Sequence, residues 1–234
     1  MEFKKLNAPS LKELFIDQLE TMILSGQIPI GEKLPPERDL SETMQVSRAV
    51  VNAGITELAR KGFLNIKPRV GTFVADYRRN GTLETLVSIM NYNGGILRHA
   101  EIRSILELRI AYESLAVELS IPKITDEEMM QLKSYVTQMH ETTSIKEASE
   151  LAFEFQHELA CLSQNTLLPL MVSSFKAPVM TLWERFCRMY GIESLYKNTA
   201  ELFNYIENRD VKNALASLTA SINDTIHGKK QIYY

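Results

Sequence analysis

Glycine and proline are scarce in this 234-residue chain, ten of the first and eight of the second, and they are scattered rather than clustered. An all-β fold needs many tight turns, so the shortage argues against one and for long helices. Cysteine is nearly absent. Cys161 and Cys187 both fall inside helical patterns, which reads as two buried free thiols in a reducing compartment, not a disulfide framework. No run approaches the roughly 18 uninterrupted apolar residues of a membrane span. The N-terminal MEFKKLNAPS lacks the apolar core of a signal peptide, so a cytoplasmic protein with no membrane partner is expected. Strong charge of either sign is missing too. The formal net charge is −3, with eleven Lys and Arg against ten Asp and Glu over residues 1–78 and the acidic excess in the remainder. Charge alone therefore does not announce nucleic acid. Ser47 and Ser163 lack the glycines of a nucleophile elbow, and there is no phosphate-cradling glycine loop and no clustered set of metal ligands. An enzyme is not expected, nor a cofactor.

What is present is core material. Hydrophobic residues make up 45% and charged residues 24%, the composition of a packed, ordered chain. The length suits one large or two ordinary domains. Ser10 and Glu13 have capping-box spacing, and Leu11, Leu14, Phe15, Leu19, Met22 and Ile23 then share one helical face until Gly26. Pro35-Pro36 opens a second helix to about Met44. After the tight turn Gln45-Val46, Ser47 can cap a third helix to about Lys61, with Val51, Ile55 and Leu58 inward. FLNI (63–66) and GTFV (71–74) are β-prone runs joined by Lys67-Pro68-Arg69-Val70, a hairpin with a basic tip. Three helices and a hairpin make a winged helix-turn-helix. Its third helix is slim enough for the major groove of duplex DNA.

These residues resemble the DNA-binding domain of the GntR family of bacterial transcription regulators. The family pattern is matched by G31-E-K-L-P-P-E-R-D-L40, V46-S-R-A-V-V51, I55-T-E-L-A-R-K-G62 and G71-T-F-V74. The resemblance implies DNA contacts from Arg38, Ser47, Arg48, Asn52, Lys67, Arg69, Gly71 and Thr72. Several have plainer readings beside them. Arg38 can pair with Glu42 one turn on, and Ser47 can be only a cap. Arg48 suits guanine, whose O6 and N7 a guanidinium bridges; Asn52 suits adenine or a phosphate. Arg69 stands where the family often has Gly, and reads as a groove or phosphate contact or as a solvated loop charge.

The polar stretch Asp76–Gly81 marks a boundary, placing a DNA-binding domain at 1–78 and an all-helical one at 79–234. Helices are expected over 82–92, with a break at Asn93-Gly94-Gly95, then over 97–120. Capping boxes at Thr125/Glu128 and Ser144/Glu147 start two more, and 167–190, 192–208 and 210–227 complete a bundle. ELRIAYESLAVELS (107–120), LACLSQNTLLPLM (159–171) and NRDVKNALASL (208–218) resemble the FCD effector domain of the FadR subgroup. That resemblance implies an effector pocket and dimerisation. Many members hold a divalent metal through one Asp and three His. Aligned on Asn165 and Asp210, those positions are Ala152, Gln156, Thr199 and Ser221, and His157 is one residue out of register, so no metal is expected.

Arg109 and Glu113 lie in the apolar stripe Ile102, Leu106, Ala116 of one helix. Buried charge must be satisfied. Either Arg109 holds a ligand carboxylate bidentately, or it pairs with Glu113. Gln156, His157, Asn165, Thr199 and Ser221 are the other effector candidates. Arg185, Arg188 and Tyr190, near Trp183, read as a solvated helix end or an acidic-ligand site. The whole points to a mainly α, ligand-responsive regulator: a homodimer on a two-fold DNA operator, repression its default polarity, a small metabolite, foremost a carboxylate, its effector. Alternatives are an acyl-CoA-type sensor or an activator and, further off, an enzyme in the bundle cavity or an interaction scaffold.

Overall fold

The computed structural model describes residues 9–92 and 99–233. The expected break at Asn93-Gly94-Gly95 and the expected helix start at Leu97 lie outside the described residues. The chain divides into two compact units, residues 1–94 and 95–234.

In the first unit α1 (Leu11–Leu24) begins at the expected box: Ser10 Oγ accepts from Glu13 N at 3.2 Å, and the Glu13 carboxylate accepts from Ser10 N at 2.7 Å. Its buried face is Phe15, Ile16, Leu19, Ile23 and Leu24; Leu11 and Leu14, expected inside, are exposed. The physical reason is where α3 crosses. A Cβ added at Gly54 of α3 (Arg48–Arg60) would lie 2.3 Å from Phe15 Cδ1, so the approach is closest at Phe15 and the turn before it stays in solvent. Between them α2 (Glu37–Met44) ends at a left-handed Gln45, and the Ser41 hydroxyl donates to Val46 O at 2.6 Å. Ser47 then caps α3, its Oγ accepting from Val50 N. Strands β1 (Leu64–Lys67) and β2 (Gly71–Val74) pair antiparallel with Lys67 opposite Gly71. Residues 31–34 run along the other edge of β2, with Leu34 N donating to Thr72 O at 2.9 Å and Val74 N to Glu32 O at 2.8 Å.

Two helices follow the wing: α4 (Tyr77–Asn80) and α5 (Leu83–Asn91). The Thr85 hydroxyl donates to Lys61 O just past the end of α3, Arg60 pairs with Glu84, and Lys61 pairs with Glu20 beside Ser88. These bonds keep α4 and α5 with the winged unit, so its compact limit falls later than residue 78.

The second unit is a bundle of α6 (His99–Ser120), α7 (Asp126–Glu141), α8 (Ile145–Leu162), α9 (Leu168–Ser174), α10 (Lys176–Tyr190), α11 (Ile192–Glu207) and α12 (Val211–Ile226). Helix α6 packs on α8 and α12, and α8 on α7 and α10. Ile102, Val117, Leu132, Phe155, Leu159, Ile206 and Ala214 are fully enclosed. The single helix expected over 167–190 is two, broken at Phe175 (φ −95°, ψ 4°). The break puts Pro178 in the first turn of α10, where a missing N–H costs no helical bond. Cys187 is buried and its thiol is pushed up to about 11, mainly by burial; Cys161, expected buried, is exposed because it faces out from the last turn of α8.

Candidate nucleic-acid interface and bundle cavity

Capping fixes how α3 presents itself. With Ser47 turned back onto Val50 N, the first turn displays Arg48 to solvent, and Asn52 follows one turn along the same exposed side. Arg38 is exposed and paired with Glu42 at 2.8 Å, the plainer of its two readings. Such a pair is worth only about 0.3–0.5 kcal/mol, so a phosphate can displace it. Asn52 Nδ2 donates to Glu37 Oε1 at 3.4 Å, a long bond tying α3 to α2.

The wing tip is formed by Pro68, Arg69 and Val70, all exposed. Arg69 adopts φ 65°, the left-handed region natural to the Gly that it replaces. Lys67 Nζ stands 4.8 Å from the Phe73 ring centroid, and Lys33 Nζ 6.0 Å from the same ring. Gly71 permits this: at φ 137° its missing Cβ leaves the space that Lys33 Cε occupies, 2.5 Å from the ideal Cβ position. Thr72 lies in the edge pairing, its carbonyl taken by Leu34 N. Lys33 thus joins Lys67 and Arg69 in one basic cluster. Sequence reading did not single it out, because only the pairing of residues 31–34 with β2 brings it to the wing.

In the bundle, a cavity of about 50 Å³ is lined by residues of α6, α8, α10, α11 and α12. Arg109, Gln156, Thr199 and Ser221, all expected at an effector pocket, line it together, as does Ala152. The four positions where the FCD pattern carries metal ligands (Ala152, Gln156, Thr199, Ser221) therefore do converge, although they hail from three helices. None bears a strong metal ligand, and no group of three or more His, Cys, Asp or Glu able to hold a metal occurs among the described residues. Gln156 is 8% exposed, and its Oε1 has no hydrogen-bond partner among the described residues.

The other candidates stand elsewhere. Glu113 is buried behind Arg109, accepting from its Nε at 2.6 Å and Nη2 at 3.3 Å. The Arg109 fork meets Glu113, and its guanidinium carbon lies 4.5 Å from the Trp183 ring centroid. Burial works against the Arg109 charge, but the Glu113 carboxylate overrides it and holds Arg109 above its ordinary value. Burial likewise raises the neighbouring Tyr112 hydroxyl. His157 is not in the cavity lining; it stacks on Phe153 and meets the Ser173 hydroxyl at 3.0 Å. Asn165 is a loop cap, its Oδ1 accepting from Leu167 N and Leu168 N.

Two features were not legible beforehand. Asn198, Thr225 and Trp183 also line the cavity. So does Ile232, which is 2% exposed and belongs to the segment after α12. Tyr190 Oη donates to Gln231 O at 2.6 Å, Arg185 Nη1 donates to Ile232 O at 3.3 Å, and the Tyr233 ring lies tilted against His99 with centroids 5.2 Å apart. Arg185 and Tyr190 are thus neither idle nor aimed at a ligand; they strap this segment over the cavity. Arg188 pairs with Glu184 at the surface.

Comparison with known proteins gives a consistent picture. Residues 11–74 match the family described as bacterial regulatory proteins, gntR family, and residues 104–224, just over half of the chain, match the FCD domain. The HTH-type transcriptional regulator Mce2R of Mycobacterium tuberculosis is 32% identical over 130 residues, covering 54% of each chain, so the chain spans about half the length of that relative. The HTH-type transcriptional regulator LutR of Bacillus subtilis is 25% identical over 218 residues, 88% of this chain and 97% of LutR. Among solved structures, the Listeria monocytogenes protein Lar superposes with a TM-score of 0.58 at 16% identity, over 93% of this chain and 99% of Lar, a likeness of fold. No helix among the described residues is long and apolar enough to cross a membrane.

Proposed function

This chain belongs to the GntR family of bacterial regulatory proteins and carries an FCD domain, and from that premise we propose that it is a ligand-released repressor acting in the cytoplasm as a homodimer. Being a GntR-family regulator, it is a DNA-binding transcription factor; its site on DNA is double-stranded and near-palindromic, since a two-fold protein reads a two-fold sequence. Arg48 reads a base edge from the leading turn of α3, Arg38 and Asn52 brace that helix on the backbone, and Lys67 and Arg69 grip the neighbouring groove or phosphates. The single observation that supports this most is the exposed Ser47–Arg48 end of α3 standing in the same unit as an exposed basic wing. A small metabolite in the bundle cavity shifts the population between operator-bound and released forms. A cavity of about 50 Å³ favours a small effector over the acyl-CoA type.

The test is a titration of the purified protein against fragments of DNA upstream of its own coding region. A specific complex should form, and Arg48→Ala should weaken it by about 10- to 100-fold, equivalent to the roughly 1–3 kcal/mol of one bidentate base contact. Circular dichroism of the variant should be unchanged. Undiminished specific binding by Arg48→Ala would remove α3 from the groove.

A further inference from the structure

We propose that the bundle cavity is selective for a small, uncharged molecule bearing hydrogen-bond donors, an alcohol or a carboxamide, over a carboxylate, free or metal-bound. The inference rests on the reading of this cavity as the effector site, and it replaces the carboxylate expected from the sequence.

Charge comes first. Arg109 is the one ionisable side chain in the cavity lining, and its charge is already matched by the buried Glu113 through two bonds of 2.6 and 3.3 Å. The remaining polar lining is amide and hydroxyl: Gln156, Asn198, Thr199, Ser221 and Thr225. A carboxylate entering this space would lose its hydration and meet no net positive charge.

Hydrogen-bond bookkeeping points the same way. Thr199 donates its proton to Leu195 O at 3.1 Å, Ser221 to Leu218 O at 2.9 Å, and Thr225 to Ile222 O at 2.7 Å. Each hydroxyl is left with acceptor capacity only. Gln156 lines the cavity too, but its unpartnered Oε1 is closed to a water-sized group, so it is the hydroxyls that call for a donor. A carboxylate offers none, whereas an O–H or amide N–H does. The ligand's own oxygen can accept from the amide N–H₂ groups of Gln156 or Asn198.

Size and metal chemistry close the argument. The room is modest, about 50 Å³, and suits a small ligand rather than a long one. At the positions where the FCD pattern carries Asp and His, this chain presents Ala152, Gln156, Thr199 and Ser221, neutral groups that bind water or an alcohol better than a divalent ion.

Acetamide and acetate are matched in shape and differ in charge and in donors, which makes them the probes. Trp183, the chain's one tryptophan, lines the cavity and reports binding by its fluorescence. At constant ionic strength, acetamide should give a saturable response in the intact protein at a concentration at least tenfold below any response to acetate, and propane-1,2-diol should compete with it. Gln156→Leu should abolish the acetamide response, and Gln156→Asn, which keeps the amide, should retain part of it. Acetate binding as tightly as acetamide would overturn the proposal while leaving an effector site in place. If neither probe binds, the proposal also falls; whether fractions of a metabolite extract release the operator complex then decides if the effector reading falls with it.

Discussion

Arg109–Glu113 and Arg38–Glu42 are the same pattern, Arg followed by Glu four residues later on a helix, with nearly the same bond (2.6 and 2.8 Å). They differ in burial: 7% and 2% side-chain exposure for the first pair, 69% and 65% for the second. Removing one partner should therefore have very different consequences. In Glu42→Gln the Arg38 guanidinium returns to water, and the loss is about 0.5 kcal/mol or less. In Glu113→Gln the Arg109 charge stays inside the bundle, against Trp183 and without a counter-charge, and the loss is about 3–5 kcal/mol. With a urea dependence of about 2 kcal/mol per M, the second change moves the unfolding midpoint down by roughly 1.5–2.5 M and the first by about 0.2 M. Trp183 fluorescence follows the bundle unit directly, and circular dichroism follows the winged unit's helices together with it. The double variant Arg109→Met/Glu113→Leu removes both charges at similar volume and should recover most of the loss, because the cost lies in the orphaned charge rather than in the missing bond. Equal midpoints for Glu42→Gln and Glu113→Gln, or a double variant no more stable than Glu113→Gln, would refute this reasoning.

Other expectations follow from the winged unit. Ser47→Asp retains the cap on α3, and its charge suits the helix N-terminus, so thermal stability should hold or rise slightly while operator affinity falls more than tenfold by repulsion from phosphate; unchanged affinity would leave Ser47 as a cap alone. Arg69→Gly relieves a left-handed conformation costing about 1 kcal/mol, but it also loosens the unfolded chain by a similar amount, so stability should barely change. The slope of log affinity against log salt should then drop by about 0.9 if Arg69 meets a phosphate, and an unaltered slope would exclude that contact. Gly54→Ala would gain about 1 kcal/mol of helix propensity, yet its Cβ would sit 2.3 and 2.7 Å from the buried Phe15 ring. Overpacking of about 1–3 kcal/mol should win, lowering the melting temperature of the winged unit, and a rise in that temperature would show that Phe15 moves freely.

Local rules decided most of the architecture. Helix starts at Ser10, Ser47, Thr125 and Ser144 follow from an oxygen side chain placed to accept a backbone N–H three residues on, and each is realised. The hairpin and the turns that flank it at Gly62 and Gly71 are equally local, which is why the winged helix-turn-helix and the helical bundle are readable from residues alone. Ala152, Gln156, Thr199 and Ser221, which line one cavity, are the positions that the resemblance to the FCD domain implies.

What the sequence could not determine depends on which helix faces meet. His157 is one residue from Gln156, and that single step of about 100° turns it onto Phe153 and Ser173 instead of into the cavity. That the Arg109 fork meets Glu113 with both charges buried is a fact of packing that helix spacing alone does not supply. Lys33 reaches the wing through pairing of residues 31–34 with β2, and Ile232 reaches the cavity through Arg185 and Tyr190, more than forty residues away in sequence. Period and capping are properties of a few neighbouring residues, so the chain itself carries them. Which acceptor is left orphaned, and which charge is cancelled, are sums over helices distant in sequence, and those exist only once the helices have packed.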